Sequence, residues 1–153
     1  MRSKISLLFS IAKANAVISR QLSVLLPDFR DYMILHYLSE APEQKLRRID
    51  LAEKMGLTAS GITRMLIQLE KLGIISRDMD NEDARARFAS ITKAGKALFK
   101  DATATLEMKV DSVVPTGHTD LIKEVNTLIE TIIDNLTNNK RALRDSNPRP
   151  SAS

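Results

Sequence analysis

Residues 51–72 contain two short amphipathic segments with a tight turn between them. In "LAEKMG", Ala52 is small enough for a close crossing of two helices, and Gly56 can adopt the left-handed backbone that ends a helix. Thr58 is then a predicted N-cap for a second helix that runs up to Gly73. Leucine, isoleucine and methionine recur on one face of both segments. The pattern predicts two helices that share one core.

The first turns of the second helix carry hydroxyl groups and one cation but no carboxylate. These residues are Thr58, Ser60, Thr63 and Arg64. Serine and threonine can donate to or accept from base edges of DNA, arginine offers two parallel donors, and the exposed N-terminal amides favour phosphate. Two such helices are typical of a helix-turn-helix, whose second helix enters the major groove. The alternative is that Thr58 and Ser60 only cap the helix and that Arg64 is solvated.

The rest of the chain is predicted to be mainly α-helical with one small β-hairpin. Apolar residues at helical spacing predict a first helix over 4–25, a second from Pro27, a long helix over 93–113 and a last helix over 119–136. The runs "IISRDM" and "RFASIT" predict two strands around a polar tip, and "LRRI" is a candidate short strand. The fold class expected is mainly α with a β-hairpin wing.

The segment "DLAEKMGLTASGITRMLIQLEKLGIISRDMDNEDARARFASITKAGKAL" resembles the MarR family of winged helix-turn-helix transcriptional regulators. The family's wing signature falls on Asp83, Arg85, Ile91, Thr92 and Gly95. The resemblance implies dimers whose first and last helices interleave, and a wing that places an arginine in the minor groove. By position that arginine is Arg85, with Asp83 bracing the wing. Ala84 stands where many members carry a second arginine, for which Arg87 is a candidate replacement.

The resemblance also implies an organisation for the whole chain. Residues 1–138 would form one domain, in which 1–28 and 115–138 are dimerisation helices, 29–98 the winged helix DNA-binding lobe and 93–113 a connecting helix. Residues 139–153 are expected to be a disordered basic tail. The residues expected to contact DNA are Arg47, Thr58, Ser60, Thr63, Arg64, Gln68, Arg77, Asp83, Arg85 and Arg87.

A binding pocket for a small effector is a second expectation that follows from the resemblance. Members of this family bind small, often aromatic and acidic molecules between the dimer helices and the DNA-binding lobe. Arg30, Tyr32, His36 and Tyr37 lie on one predicted helix and could line such a pocket. The alternative is that Tyr32 and Tyr37 are core residues with polar tips.

Catalytic and metal chemistry are not expected. The chain has no cysteine, which excludes disulfides, thiolate metal sites and cysteine-based peroxide sensing. No nucleophile elbow, glycine-rich phosphate loop or helix with paired carboxylates accompanies its two histidines, His36 and His118. The run "DMDNED" begins like a calcium loop, but Asp83 and Ala89 occupy the places that need glycine and glutamate. We therefore expect no enzyme activity, no metal and no cofactor.

The charge and hydropathy of the chain limit which partners and which location can be expected. Most of the net charge of +4 lies in the tail, so bulk charge alone gives little support for a polyanion partner. The segment "MRSKISLLFSIAKANA" has signal-peptide features, but Lys13 interrupts its apolar run and the helical pattern continues beyond it. No run is long enough to span a membrane. A cytoplasmic location is expected.

The first and last predicted helices have wider apolar faces than one winged lobe could cover, which favours a homodimer. The function expected is that of a sequence-specific DNA-binding regulator. It would act as a repressor, bind a palindromic operator in double-stranded DNA as a homodimer, and be released by a small ligand. The alternative is a winged-helix dimer that serves as a protein-interaction module without binding DNA.

Overall fold

The computed structural model describes residues 2–23, 28–79 and 87–145. The elements along these ranges are α1 (Arg2–Gln21), α2 (Phe29–Glu40), β1 (Lys45–Arg47), α3 (Arg48–Lys54), α4 (Ala59–Lys71), β2 (Ile75–Met79), β3 (Arg87–Ile91), α5 (Lys93–Val113) and α6 (Thr119–Asp145). A short 3₁₀ turn, Pro42–Gln44, joins α2 to β1. The mainly helical fold with one small antiparallel sheet confirms the predicted fold class.

Local backbone chemistry sets the ends of the helix pair as predicted. The Thr58 side chain accepts a hydrogen bond from the Gly61 amide and so caps α4. Gly56 and Gly73, which follow α3 and α4, have φ angles of 62° and 69°, a region that costs little only for glycine. Each helix therefore ends where the sequence predicts.

The start of α2 differs from the prediction that placed Pro27 in its first turn. The helix begins at Phe29, and Asp28 is its N-cap, with extended backbone and a side chain that accepts from the Arg30 amide. A carboxylate at this position also suits the positive end of the helix dipole. Pro27 itself lies outside the described residues.

The three strands form one antiparallel sheet in the order β1-β3-β2. Leu46 and Arg77 both pair with Ala89, which is fully buried, and Ile75 pairs with Ile91. Because side chains alternate along a strand, Ala89 and Ile91 share the sheet face that packs on the core. The hairpin of β2 and β3 is the predicted wing, and its tip, residues 80–86, lies outside the described residues.

One hydrophobic core joins α2, α3, α4, the sheet and α5. Its buried members are Tyr32, Ile34, Leu35, Leu38, Leu51, Ala52, Ile62, Leu66, Leu69, Ile74, Ile75, Ala89, Ile91 and Ala102. The inward-facing residues predicted for α3 and α4 contribute to this core, either fully buried or packed partly buried at its edge. Burial of one face leaves the opposite face of α4 in solvent.

Thr92 joins the turn after α4 to the start of α5. Its hydroxyl lies 2.7 Å from the Gly73 carbonyl oxygen and 2.9 Å from that of Ile74, and it accepts from the Gly95 amide at 3.0 Å. A Cβ on Gly95 would lie only 2.1 Å from the Ile74 carbonyl oxygen. The absence of a side chain at position 95 thus allows α5 to approach the backbone at the base of the wing.

The described residues divide into two compact units with a boundary between Val110 and Asp111. In the first unit, α1 has no buried residue and exposes Ile5, Leu8, Phe9, Val17 and Ile18. In the second unit, α6 continues to Asp145 rather than ending near Leu136, so part of the predicted disordered tail is helical; residues 146–153 lie outside the described residues. None of the described helices is apolar over a length sufficient to cross a membrane.

Asp31 is the only charged residue buried in the described part of the chain. Only 8% of its surface is exposed, and it lies in the first turn of α2 beside the core. Burial, reinforced by the nearby Asp28 carboxylate, raises the pKa of Asp31 to about 6. Between pH 3.8 and about pH 6, the Asp31 carboxyl group therefore stays protonated in the folded protein, whereas it has lost its proton in the unfolded chain.

We expect Asp31→Asn to stabilise the protein at neutral pH. Between about pH 4 and pH 6, the wild-type free energy of unfolding should fall as the pH rises, because the charged carboxylate is poorly solvated in the fold. The variant should lack this decline and gain about 1–3 kcal/mol at pH 7, but little at pH 4. Urea titrations of both proteins at the two pH values measure the difference. An equal change at both would show that Asp31 does not titrate as described.

Candidate DNA-binding interface

The solvent face of α4 presents a stripe of polar side chains. Ser60, Arg64 and Gln68 are spaced four residues apart and are all exposed, whereas Ile62, Leu66 and Leu69 are buried on the opposite face. Residues four apart lie one above another on a helix. The stripe can therefore face one continuous surface, such as the floor of a groove.

The three hydroxyls predicted to meet DNA are not equivalent in the structure. Thr58 accepts from the Gly61 amide at 3.1 Å, and its oxygen lies 3.2 Å from that of Ser60. Thr63 donates to the Ala59 carbonyl at 2.5 Å. The capping alternative considered for Thr58 is therefore present in the structure, and the donor of Thr63 is already used. Of the three, Ser60 has the hydroxyl with no hydrogen bond to the backbone among the described residues.

Arg64 and Gln68 are the longest side chains of the stripe. Neither side chain makes a hydrogen bond or an ion pair to any other described residue. Arginine can donate two parallel hydrogen bonds to guanine, and glutamine can donate to and accept from adenine. Both residues therefore retain the full donor and acceptor capacity that base contacts require.

The structure describes some, but not all, of the wing arginines that were predicted to contact DNA. Arg77 on β2 donates from Nε to the Glu70 carboxylate of α4 at 2.5 Å, and a second guanidinium nitrogen contacts the same oxygen. This hydrogen bond to Glu70 raises the pKa of Arg77. Arg87 is exposed at the start of β3. Asp83 and Arg85, the other predicted wing residues, lie outside the described residues.

Arg47 and Arg48 bring further cations to the base of the wing. The Arg47 guanidinium lies 5.8 Å from the centre of the Phe88 ring, and the Lys45 ammonium lies 5.4 Å from it. Arg48 lies beside Arg77 and Arg87 at a shallow depression. Sequence reasoning included Arg47 but missed Arg48. The sequence feature that could have identified Arg48 is the adjacent pair "RR" in the candidate strand "LRRI". Because neighbouring side chains of a strand point to opposite faces, Arg47 and Arg48 can be expected to face different surfaces.

The four residues predicted to line an effector pocket all lie on α2, at Arg30, Tyr32, His36 and Tyr37. Tyr32 is buried, lies 5.1 Å from Phe99 between ring centres, and its hydroxyl is 3.2 Å from that of Thr103. The ring of His36 is exposed and lies 6.2 Å from Phe99. Tyr32 and His36 thus share one side of α2, facing α5.

The other two members of the predicted set lie elsewhere on α2. Arg30 forms an ion pair at 2.9 Å with Asp28, the N-cap residue. Tyr37, two turns further along, lies 5.6 Å below the Lys54 ammonium of α3. The Tyr37 ring also lies 5.7 Å from that of His36 between ring centres, so the His36 ring adjoins both Phe99 and Tyr37.

Comparison with known sequences identifies the central region of this chain. Residues 30–86 match the model of the MarR family. The chain is 38% identical over 55 residues to an uncharacterised HTH-type transcriptional regulator, YfiV of Bacillus subtilis, covering 36% of this chain and 34% of that protein. It is 30% identical over 82 residues to the HTH-type transcriptional regulator PrsX of Escherichia coli, covering 54% and 49%. The chain thus spans half or less of the length of these curated relatives.

Solved structures share the fold over most of the chain. The transcriptional regulator BldR of Sulfolobus solfataricus superposes with a TM-score of 0.74 at 24% identity, covering 84% of this chain and 96% of that one. Sco3205 of Streptomyces coelicolor, solved in complex with DNA, gives 0.70 at 20% identity over 85% and 87%. CouR of Rhodococcus jostii, bound to p-coumaroyl-CoA, gives 0.72 at 21% over 82% and 90%. At these identities the likeness concerns the fold.

Proposed function

Because this chain is a member of the MarR family, we propose that it is a sequence-specific DNA-binding transcriptional regulator. The observation that carries the proposal is the polar stripe of α4. Ser60, Arg64 and Gln68 project from a helix whose other face is buried, and the side chains of Arg64 and Gln68 have no partner among the described residues. A recognition helix of a helix-turn-helix needs this combination of a fixed inner face and free outer donors. The complex of Sco3205 with DNA supports the proposal, because that protein has the same fold.

The regulator acts as a homodimer in this proposal. Apolar side chains are exposed on α1 and, within the second unit, on α6, where Leu121, Val125 and Leu128 are between 44% and 54% exposed. Apolar surface of this extent is typical of an interface. A two-fold dimer would present two copies of α4 about one turn of DNA apart, and a palindromic operator would match that symmetry.

Repression with release by a small ligand completes the proposal. CouR, which has the same fold, binds p-coumaroyl-CoA, an aromatic and acidic molecule. In this chain the exposed His36 ring beside Tyr32 and Phe99 offers an aromatic surface with one titratable group. A planar acid that contacts this surface could alter the position of α2 and hence of the core beneath α4.

Selection of bound duplexes from a random pool tests the proposed DNA binding and identifies the operator in the same experiment. The selected duplexes should share a palindromic sequence, and their affinity should fall linearly on a logarithmic scale with salt concentration. Addition of aromatic carboxylic acids and their thioesters to the complex then tests ligand release. If the protein binds no duplex at any salt concentration, the alternative of a protein-interaction module takes the place of this proposal.

Arg64→Ala should weaken binding to the selected operator and relax its sequence. Loss of two parallel hydrogen bonds to a guanine edge should cost about 1–3 kcal/mol, with reduced preference at one position of each half-site. Fluorescence anisotropy on the operator and on single-base variants measures both effects. Lys100→Gln, which removes an exposed charge from α5, is the control and should leave the preference unchanged. Full preference in the Arg64 variant would assign Arg64 to phosphate or solvent.

A further inference from the structure

A shallow depression lies between α4 and the base of the β2–β3 hairpin. We call it the arginine depression; its lining consists of Arg48, Thr63, Leu66, Arg77, Arg87 and Phe88. The three arginines come from three elements, α3, β2 and β3. They are far apart in the sequence, so the topology of the sheet brings them together.

The strand register explains why two of these arginines share one side of the sheet. Arg77 pairs with Ala89, and Arg87 precedes Ala89 by two residues on the same strand. Alternation along a strand places all three side chains on one face. Ala89 is buried, so this is the face that packs towards the helices. The Arg77 guanidinium contacts Glu70 of α4, and Arg87 lines the same depression. Arg48 arrives beside them because it directly follows β1, the partner of β3.

The charge around the arginine depression is not balanced by the described residues. Glu70 binds Arg77 through a single carboxylate oxygen. No ion pair to Arg48 or Arg87 forms among residues 2–23, 28–77 and 87–139, whose side chains the structure describes. Among the described side chains, three cations and one carboxylate therefore lie around one small hollow, which Leu66 and Phe88 also line. Mutual repulsion of these cations would be relieved by a bound anion.

We propose that the arginine depression holds one phosphodiester group of double-stranded DNA. Planar guanidinium groups bind phosphate oxygens through paired hydrogen bonds, and convergence from three elements suits a group with several acceptor oxygens. Thr63 cannot donate to this phosphate while its hydroxyl donates to Ala59, so the arginines supply the donors. Glu70 is a positioning residue that fixes the Arg77 guanidinium against α4.

A phosphate held here would set the register of α4 in the groove. Phosphate contacts carry no sequence information of their own, but they fix the position and orientation from which a recognition helix reaches the bases. Thr63, in the lining, precedes Arg64 of the polar stripe directly. The inference rests on the proposed DNA binding and adds to it one particular phosphate and the residues that hold it.

The first experiment compares Arg48→Gln, Arg87→Gln and the double variant with wild type on a duplex of unrelated sequence. Each single variant should weaken binding, and the slope of log affinity against log salt should fall by about 0.9 in the double variant, the value for one phosphate. Two separate phosphates would give about twice that change. Lys100→Gln is the matched control, since it removes one exposed charge on α5.

The second experiment locates the phosphate on the selected operator. Each phosphate in turn is replaced by a neutral methylphosphonate, and binding is measured for wild type and for the double arginine variant. At one position per half-site, the replacement should weaken wild-type binding about tenfold and leave the variant unaffected, because the two changes remove the same contact. Equal losses in both proteins at every position would overturn the inference.

A third experiment tests whether the arginine depression binds a phosphate of DNA or free phosphate. Inorganic phosphate is titrated at constant ionic strength while the arginine Nε resonances are followed by NMR. Saturation of Arg48, Arg77 and Arg87 by free phosphate, with unchanged duplex binding in the double variant, would assign the depression to a small anion and contradict the inference. Failure of wild type to bind any duplex would instead contradict the proposed function itself.

Discussion

Gly95→Ala is expected to destabilise the first unit by about 3 kcal/mol or more, because overpacking against backbone cannot be relieved by a change of rotamer. The added methyl carbon would lie 2.1 Å from the Ile74 carbonyl oxygen and 3.0 Å from Cγ1 of Ile91. To avoid the first contact, α5 must move away from the turn after α4. That movement also stretches the hydrogen bond from the Gly95 amide to Thr92. Thermal unfolding followed by circular dichroism should show a midpoint at least about 6 °C lower.

Gly61→Ala provides the matched control for this prediction. It is the same substitution in the first turn of α4, where the added carbon would meet the Thr58 side-chain oxygen at 3.2 Å and no core backbone. Alanine has the higher helix propensity, so the free energy of unfolding should change by no more than about 1 kcal/mol in either direction. Equal midpoints for the Gly95 and Gly61 variants would show that α5 does not lie as close to Ile74 as described.

Local chemistry made α3, α4 and the hairpin predictable from the sequence. Gly56, Thr58 and Gly73 each act on the backbone beside them, so their effect does not depend on distant residues. The predicted bounds of α5 agree with the structure for a similar reason, since Pro115 and Gly117 stop the helix locally. Apolar periodicity then identified which faces of α2, α3 and α4 are buried.

Features that depend on long-range packing were harder to predict. Arg48 was missed because its neighbours Arg77 and Arg87 come from strands whose register the sequence does not specify. The position of the Lys54 ammonium over the Tyr37 ring also depends on how α3 packs on α2, which the sequence does not specify. The extension of α6 to Asp145 was missed because residues 137–141 are all polar or charged, which interrupts the periodic apolar signal after Leu136. The roles of Asp83 and Arg85 remain predictions.

Ile129→Glu is expected to convert the proposed homodimer into monomers. Ile129 lies among Ile122, Val125, Ile132 and Leu136 on the apolar stripe of α6, which is exposed or half-buried within the second unit. A carboxylate placed in a dimer seam would lose its water without gaining a partner. Sedimentation velocity should show a species of half the wild-type mass. Binding to a palindromic operator should weaken at least about a hundredfold, because the two recognition helices no longer bind as a linked pair.

Thr127→Glu introduces the same side chain on the opposite side of α6, where Thr127 is exposed. Two residues along a helix correspond to a rotation of about 200°, so this glutamate should face solvent. The Thr127 variant should therefore remain dimeric and bind the operator as wild type does. Far-UV circular dichroism distinguishes a folded monomer of the Ile129 variant from an unfolded chain. A folded Ile129 variant that sediments as a dimer with unchanged dissociation constant would show that the apolar stripe of α6 lies outside the interface. The dimer would then have to form through another apolar surface. The apolar side chains of α1, among which Phe9 is largely exposed, would be the next candidates.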